Sequence, residues 1–173
     1  SILKNNSFII YSVDFKSDSN KLLNIEYESI KRYLDTNKID RKALNLQSVS
    51  EAICNIRNST LPDPNIIPNA GSFFKNTIIN KNEINTSEFP IDDLIIWKID
   101  DDLVKVGSAR LIELIRNRIP KSANVDIYTN HSLVLTTNGQ ASQDDVLSYA
   151  NEIMKNVKNV FNIKLEIEPI TIN

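Results

Sequence analysis

Glycine is scarce in this chain: Gly71, Gly107 and Gly139 are the only three in 173 residues, and no two lie close together. Dinucleotide pyrophosphates are usually cradled by glycine-rich loops and helix N-termini, whose free amides suit an anion. A sequence so poor in glycine is not expected to build that cradle by itself. Cysteine occurs once, as Cys54, which excludes an internal disulfide and fits a reducing compartment. At its apolar helix position Cys54 reads as core packing. No apolar run approaches the roughly 20 residues needed to cross a bilayer. The opening Ser1-Ile2-Leu3-Lys4-Asn5-Asn6 lacks the pattern of a signal peptide. A net charge of −2 gives no electrostatic reason to expect nucleic acid or anionic membrane as a partner. A soluble, cytoplasmic protein is the expectation, long enough for one domain or a domain with a fragment of another.

What is present has the patterning of a mixed fold. Residues 8–15 alternate, with Ile9, Tyr11, Val13 and Phe15 on one face, and predict a strand. Asn24 to Leu34 predicts a short helix with Tyr27, Ile30 and Leu34 on one side. Ser48-Val49-Ser50-Glu51 has the form of a capping box opening a helix through Val49, Ile53 and Ile56. Pro62, Pro64 and Pro68 end that helix and mark the expected domain boundary.

Beyond it, Ser72–Ile79 predicts a strand, 80–90 a polar connection and Leu94–Ile99 an apolar extended segment. Asp100-Asp101-Asp102 reads as a solvated turn in preference to a metal site. A helix is expected over Ala109–Asn117 and two short strands over Val125–Tyr128 and Leu133–Thr137, about a turn at Asn130-His131. Ser142-Gln143-Asp144-Asp145 caps the clearest helix, where Val146, Ala150, Ile153, Val157 and Val160 recur at helical spacing. The end alternates, Ile163, Leu165 and Ile167 inward against Lys164, Glu166 and Glu168 outward. Helices and strands mix without a strict βαβ rhythm, so the expected class is α+β.

The most informative stretch is Asn69-Ala70-Gly71-Ser72-Phe73-Phe74-Lys75-Asn76, entered through Leu61-Pro62-Asp63-Pro64. The prolines stiffen the approach. Gly71 permits a turn closed to other residues, or a close ligand approach. Together they present Ser72 after a tight turn. Read as residues alone, Ser72 is either a serine capping that turn or a group with chemistry to do.

Leu-Pro-Asp-Pro, a spacer and Asn-Ala-Gly-Ser-Phe-Phe-Lys-Asn resemble the substrate-domain signature of UDP-N-acetylenolpyruvoylglucosamine reductases, the MurB flavoenzymes of peptidoglycan precursor synthesis. The resemblance runs along nearly the whole chain, as the C-terminal half of such an enzyme. It implies a mixed, largely antiparallel sheet packed with helices over residues 62–163. Residues 1–61 would be the end of an FAD-binding domain and 164–173 a return strand. It implies FAD and NADPH as cofactors of the complete enzyme, with no cofactor-binding residue in this fragment. The substrate is a UDP-sugar, and the fragment alone is expected to be inactive.

The same resemblance implies that Ser72 gives a proton to C2 of the enolpyruvyl group after hydride reaches C3. A hydroxyl is a poor acid, so this requires a strongly basic enolate held within hydrogen-bond reach. Glu168, the second glutamate of Leu165-Glu166-Ile167-Glu168, lies in the family beside the enolpyruvyl group. It would help stabilise or protonate the enolic intermediate, which a carboxylate does only while it holds or shares a proton. Tyr27, Asn76, Trp97, Lys105, Arg118 and His131 fall at positions of substrate contacts. Singly, each reads more simply as solvated surface or core rim; their value is joint.

Three departures stand against the pattern. Thr60 occupies the place of a lysine before Leu-Pro-Asp-Pro, a natural phosphate partner for which Arg57, one turn back, is a substitute. Ala109-Arg110 replaces Gly-Trp, and Glu168 is followed by Pro169-Ile170-Thr171 where the family has Val-Arg. These features favour the alternative of a stand-alone, non-catalytic UDP-sugar-binding or scaffolding domain of the same fold.

Overall fold

A computed structural model describes residues 11–16 and 23–171. The chain divides into two compact units, Ser1–Ile53 and Cys54–Asn173.

In the first unit, α1 spans Glu28–Thr36 and buries Ile30 and Leu34. Their i, i+4 spacing stacks the two side chains on one face. The helix starts later than the sequence pattern predicts, because Asn24 turns the chain first, its Oδ1 accepting from the Glu26 amide at 3.1 Å. Helix α2 spans Leu46–Thr60. Its cap is not Ser48–Glu51. Asn45 Oδ1 accepts from the Ser48 amide and Ser48 Oγ accepts from the Asn45 amide, both at 2.9 Å. This reciprocal pair satisfies free amides with a cap three residues upstream of the predicted box. Val49 and Ala52 are buried, whereas Cys54 is exposed. Two positions past Ala52 the side chain has moved round the helix, so Cys54 is not core packing. The strand expected over 8–15 is not formed in its described part: residues 11–16 have no regular structure, and Tyr11 and Phe15 are 99% and 90% exposed. Alternation supplies a face, but a strand also needs a partner's ladder. Residues 8–10 lie outside the described residues.

The second unit is α+β, built of two three-stranded antiparallel sheets and two helices. One sheet has the order β1–β6–β5, from Asn69–Ser72, Val134–Thr137 and Val125–Ile127. The other has the order β2–β4–β3, from Thr77–Asn80, Leu103–Val106 and Ile96–Lys98. The single strand expected over 72–79 is therefore two, interrupted at residues 73–76. The acidic run is the β3–β4 turn: Asp100 Oδ1 accepts from the amides of Asp102 and Leu103 at 3.0 and 2.7 Å.

Helix α3, Ser108–Ile115, buries Leu111, Ile112 and Ile115; α4, Gln143–Phe161, buries Ala150, Ile153, Val157 and Val160. The Ser142/Asp145 capping box opens α4, and Asn162 in the left-handed region closes it. The Asp145 carboxyl is held below its ordinary range, chiefly by the Ser142 backbone amide and then by its hydroxyl. One apolar core runs through the unit, from Phe73 and Phe74 through α3 and α4 to Ile163 and Leu165.

Candidate functional site

The octamer is folded by its own small residues. Asn69 Oδ1 accepts from the Gly71 amide at 3.0 Å, and Gly71 has φ +72°. Asn69 pairs with Thr136 and Ser72 with Val134, so β1 uses one residue more than β6 between the two pairs. That is a β-bulge with glycine at the left-handed position, a device that re-aims the side chain beyond it. The re-aimed side chain is Ser72, which is exposed. The two phenylalanines are not part of an open site. Phe73 and Phe74 are 6% and 1% exposed and pack edge to face, with centroids 5.4 Å apart. They anchor the segment while Ser72 stays out.

Beyond Ser72 the chain is held by the tail. Phe74 bridges Ile167 in antiparallel sense. The Glu168 amide donates to the Phe73 carbonyl and the Lys75 amide to the Glu166 carbonyl, both at 2.9 Å. The structure thus brings the backbone of Glu168 alongside the residue that follows Ser72, and the Glu168 side chain is exposed. Lys75 Nζ lies 3.6 Å from Glu166 Oε2.

Asn76, Trp97 and Lys105 come together on the outer face of the β2–β4–β3 sheet. Ile78, Lys105 and Trp97 form one row of the register. Asn80 and Leu103 begin the next, which Ile99 completes through its amide bond to Leu103. The Gly107 amide bonds Ile95, setting Asn76, Gly107 and Ile95 in the row on the other side. Ile78 and Trp97 are 60% and 48% exposed. Lys105 Nζ stands 5.9 Å from the Trp97 ring centroid, a cation–π distance. This face thus leaves apolar surface exposed beside a cation. Gly107 sits in a close approach: an added Cβ would meet Ile95 Cβ at 3.2 Å, so Ile95 would have to give by a few tenths of an ångström.

The other sequence candidates are placed differently. Arg118 Nη2 is paired with Glu88 Oε2 at 2.6 Å, and its guanidinium lies 5.6 Å from the Phe89 ring. The hydrogen bond to Glu88 raises its pKa further. Arg118 is thus committed to the 80–90 connection. His131 lies in the β5–β6 turn, its Nδ1 accepting from the Leu133 amide at 3.3 Å. It borders a polar cavity of about 320 Å³ with Glu113, Arg116 and Asn130. Tyr27 belongs to the first unit, at the N-cap of α1, and is exposed.

At the departures from the family pattern, Thr60 turns its hydroxyl back to the Ile56 carbonyl at 2.8 Å. Arg57 instead lines a cavity of about 780 Å³ with Pro62, Asp63, Asn69 and Gly71. Arg110 bonds the Asp93 carbonyl at 2.9 Å and pairs with Glu113 at 3.2 Å. Among the described residues no group of three or more His, Cys, Asp or Glu side chains is arranged to hold a metal.

A family model described as UDP-N-acetylenolpyruvoylglucosamine reductase, C-terminal domain, matches residues 63–172. The chain belongs to this family. Curated relatives carrying the name UDP-N-acetylenolpyruvoylglucosamine reductase agree. The protein of Bdellovibrio bacteriovorus is 32% identical over 163 residues, that of Pseudomonas syringae 36% over 162, and that of Flavobacterium johnsoniae 34% over 172. These matches cover 94%, 94% and 97% of this chain but 47%, 47% and 50% of the relatives. The chain spans about half the length of the curated relatives it matches.

Two features of this region were not visible in sequence. Ser108 bonds both Lys75 and Asn76, and its only signal was a Gly-Ser pair at the expected start of a helix. The outer sheet face was encoded in the alternation of 78/80, 95/97/99 and 103/105, which becomes a face only once the strands are paired.

Proposed function

We propose that this chain is the substrate-binding half of a cytoplasmic, NADPH-dependent flavoenzyme that reduces UDP-N-acetylenolpyruvoylglucosamine to UDP-N-acetylmuramate. Residues 62–163 hold the substrate and 164–173 return Glu168 to it, with 1–61 belonging to the flavin side. The observation that carries the reading is the pairing of the tail with the octamer, which sets Glu168 next to the residue after the bulge-presented Ser72.

The described residues do not fit the flavin itself. Gly71 is used by the bulge, Gly107 by the approach of Ile95, and Gly139 sits apart with φ +82°. None forms a phosphate cradle, so the flavin belongs with the other half of a full-length protein, where it would supply hydride. This chain alone is inactive.

In this reading Ser72 donates a proton to C2 of the enolpyruvyl group, and Glu168 shares a proton with the enolic oxygens. A positioned acid of this kind contributes roughly 10²–10⁴-fold. Asn76 and Lys105 bind oxygens of the UDP-sugar and Trp97 covers it; Tyr27 and His131 add contacts, and Arg118 does so only by giving up its pair with Glu88. The test is Ser72→Ala in the full-length gene product. NADPH should still bleach the bound flavin, and the enolpyruvyl substrate should no longer restore its colour. Unchanged recovery of colour sinks the assignment.

The second reading, a non-catalytic UDP-sugar-binding domain, is favoured by Thr60, whose hydroxyl is spent on its own helix. It predicts UDP-sugar binding with no turnover in the wild-type protein.

A further inference from the structure

We infer that Ser108 is a positioning residue that fixes the Asn76 side chain with its oxygen inward and its nitrogen outward, so that Asn76 meets the UDP-sugar only as a hydrogen-bond donor. The inference rests on the functional reading above for its ligand, and on geometry alone for the lock.

Ser108 is the one buried polar residue among the described residues, at 0% exposure. A buried polar group needs its partners, and Ser108 finds both on the octamer. Its Oγ donates to the Lys75 carbonyl at 2.7 Å and its amide to Asn76 Oδ1 at 3.0 Å. The amide is the first of α3, and first-turn amides have no partner inside their own helix. Gly107, at the N-cap, has no side chain with which to cap it. Asn76, from a different element, does so instead. An N–H can only donate, so the Asn76 atom facing it is the oxygen, and the amide orientation follows. The Asn76 nitrogen has no hydrogen-bond partner among the described residues, and the side chain is exposed.

The same selection recurs on the face. Asn80 Oδ1 is occupied by the Asn82 amide at 3.0 Å, which leaves Asn80 its donor. Lys105 and Trp97 have donors only. In the rows containing Asn76, Lys105 and Asn80 the free polar side-chain groups therefore all donate. Such a face fits an acceptor-rich anion such as a sugar diphosphate and discriminates against a cation.

The test uses the full-length gene product with Asn76→Asp, Asn76→Ala and Ser108→Ala, read by UDP-N-acetylglucosamine titration and by hydrogen exchange of the Ser108 amide. Asn76→Asp keeps the accepting oxygen and removes the donor. It should hold the Ser108 amide as protected as in wild type while weakening binding at least about tenfold. Asn76→Ala should lose both. Ser108→Ala frees the Lys75 carbonyl beside Asn76 while the backbone amide keeps its bond to Asn76 Oδ1, and should raise the substrate KM by about three- to tenfold with kcat nearly unchanged; a merely structural role would lower Tm and leave KM alone. Wild-type affinity in Asn76→Asp, or full amide protection in Asn76→Ala, overturns the inference. A wild-type protein that binds no UDP-sugar overturns the functional reading, and the lock then stands or falls on the exchange result.

Discussion

The two sheets of the second unit use the same alternating pattern to opposite ends. In β1–β6–β5 the middle strand is covered: Val134 and Leu135 are 0% and 3% exposed, and Val125 and Ile127 beside them are buried. Its irregularity, the Gly71 bulge, serves to turn one serine outward. In β2–β4–β3 only one face is covered. Val104 and Val106 are buried, while Ile78, Trp97 and Leu103 on the other side stay exposed. The first sheet is a frame that presents one outward side chain, and the second is a platform with a broad exposed face. Apolar area left in water forfeits about 25 cal/mol per Å², so the platform makes energetic sense when a ligand or partner covers it.

The sharpest way to break this contrast is to remove what joins the sheets. Phe74 is fully buried where the octamer leaves one sheet for the other, and Phe74→Ala should destabilise the fold by about 3–5 kcal/mol, measured by urea denaturation. An effect under 1 kcal/mol would mean that the sheets do not depend on this joint. Next comes the frame. Gly71→Val puts a branched side chain at φ +72° and should cost about 1–2 kcal/mol. Nothing lies within 4 Å of the added Cβ, so the cost is conformational, and Gly71→Asn, which tolerates this region, should recover most of it. Equal losses for valine and asparagine would refute the backbone argument.

The platform should behave in the opposite way. Trp97→Ala should shift stability by less than about 1 kcal/mol, as for an exposed side chain, yet weaken UDP-sugar binding about tenfold, the scale of a lost aromatic contact. A large loss of stability with intact binding would make Trp97 a structural residue. The smallest effect lies away from both sheets, at the α4 cap. The folded pKa of Asp145 is lowered, so its contribution to stability is present above the unfolded value of 3.8 and is lost as pH falls through the folded value. Asp145→Asn should flatten the acid limb of the stability profile, with its small loss seen at neutrality, where the wild-type contribution is present, and vanishing below the folded pKa.

These contrasts also explain what could be read in advance. Helices α3 and α4 and the Ser142 cap were legible because local spacing and local hydrogen bonds define them. The alternation of 163–168 was legible for the same reason, with Ile163 and Leu165 buried and Glu166 and Glu168 exposed. The break at 73–76 was not, because Phe73-Phe74 continues a strand pattern, and only the competing pairings with Leu133 and Ile167 interrupt it. The α2 cap was misplaced because Ser48 satisfies both a capping-box pattern and the partnership with Asn45 that it in fact makes. The octamer and Glu168 were recognisable as family motifs, but the dependence of Asn76 on Ser108 was not. It is a contact between a strand end and a helix start thirty-two residues apart.

The pairing of residues 73–75 with 166–168 has a consequence for synthesis. A ribosome that has released the octamer has yet to make the segment that flanks it, and the whole of β2 to α4 must emerge first. Ser72 is therefore without its neighbour until residues 77–165 have been made, and the nascent chain cannot acquire the arrangement piecemeal. Truncated products lacking the tail would leave the backbone of residues 73–75 without these partners and uncover the otherwise buried Phe74 edge.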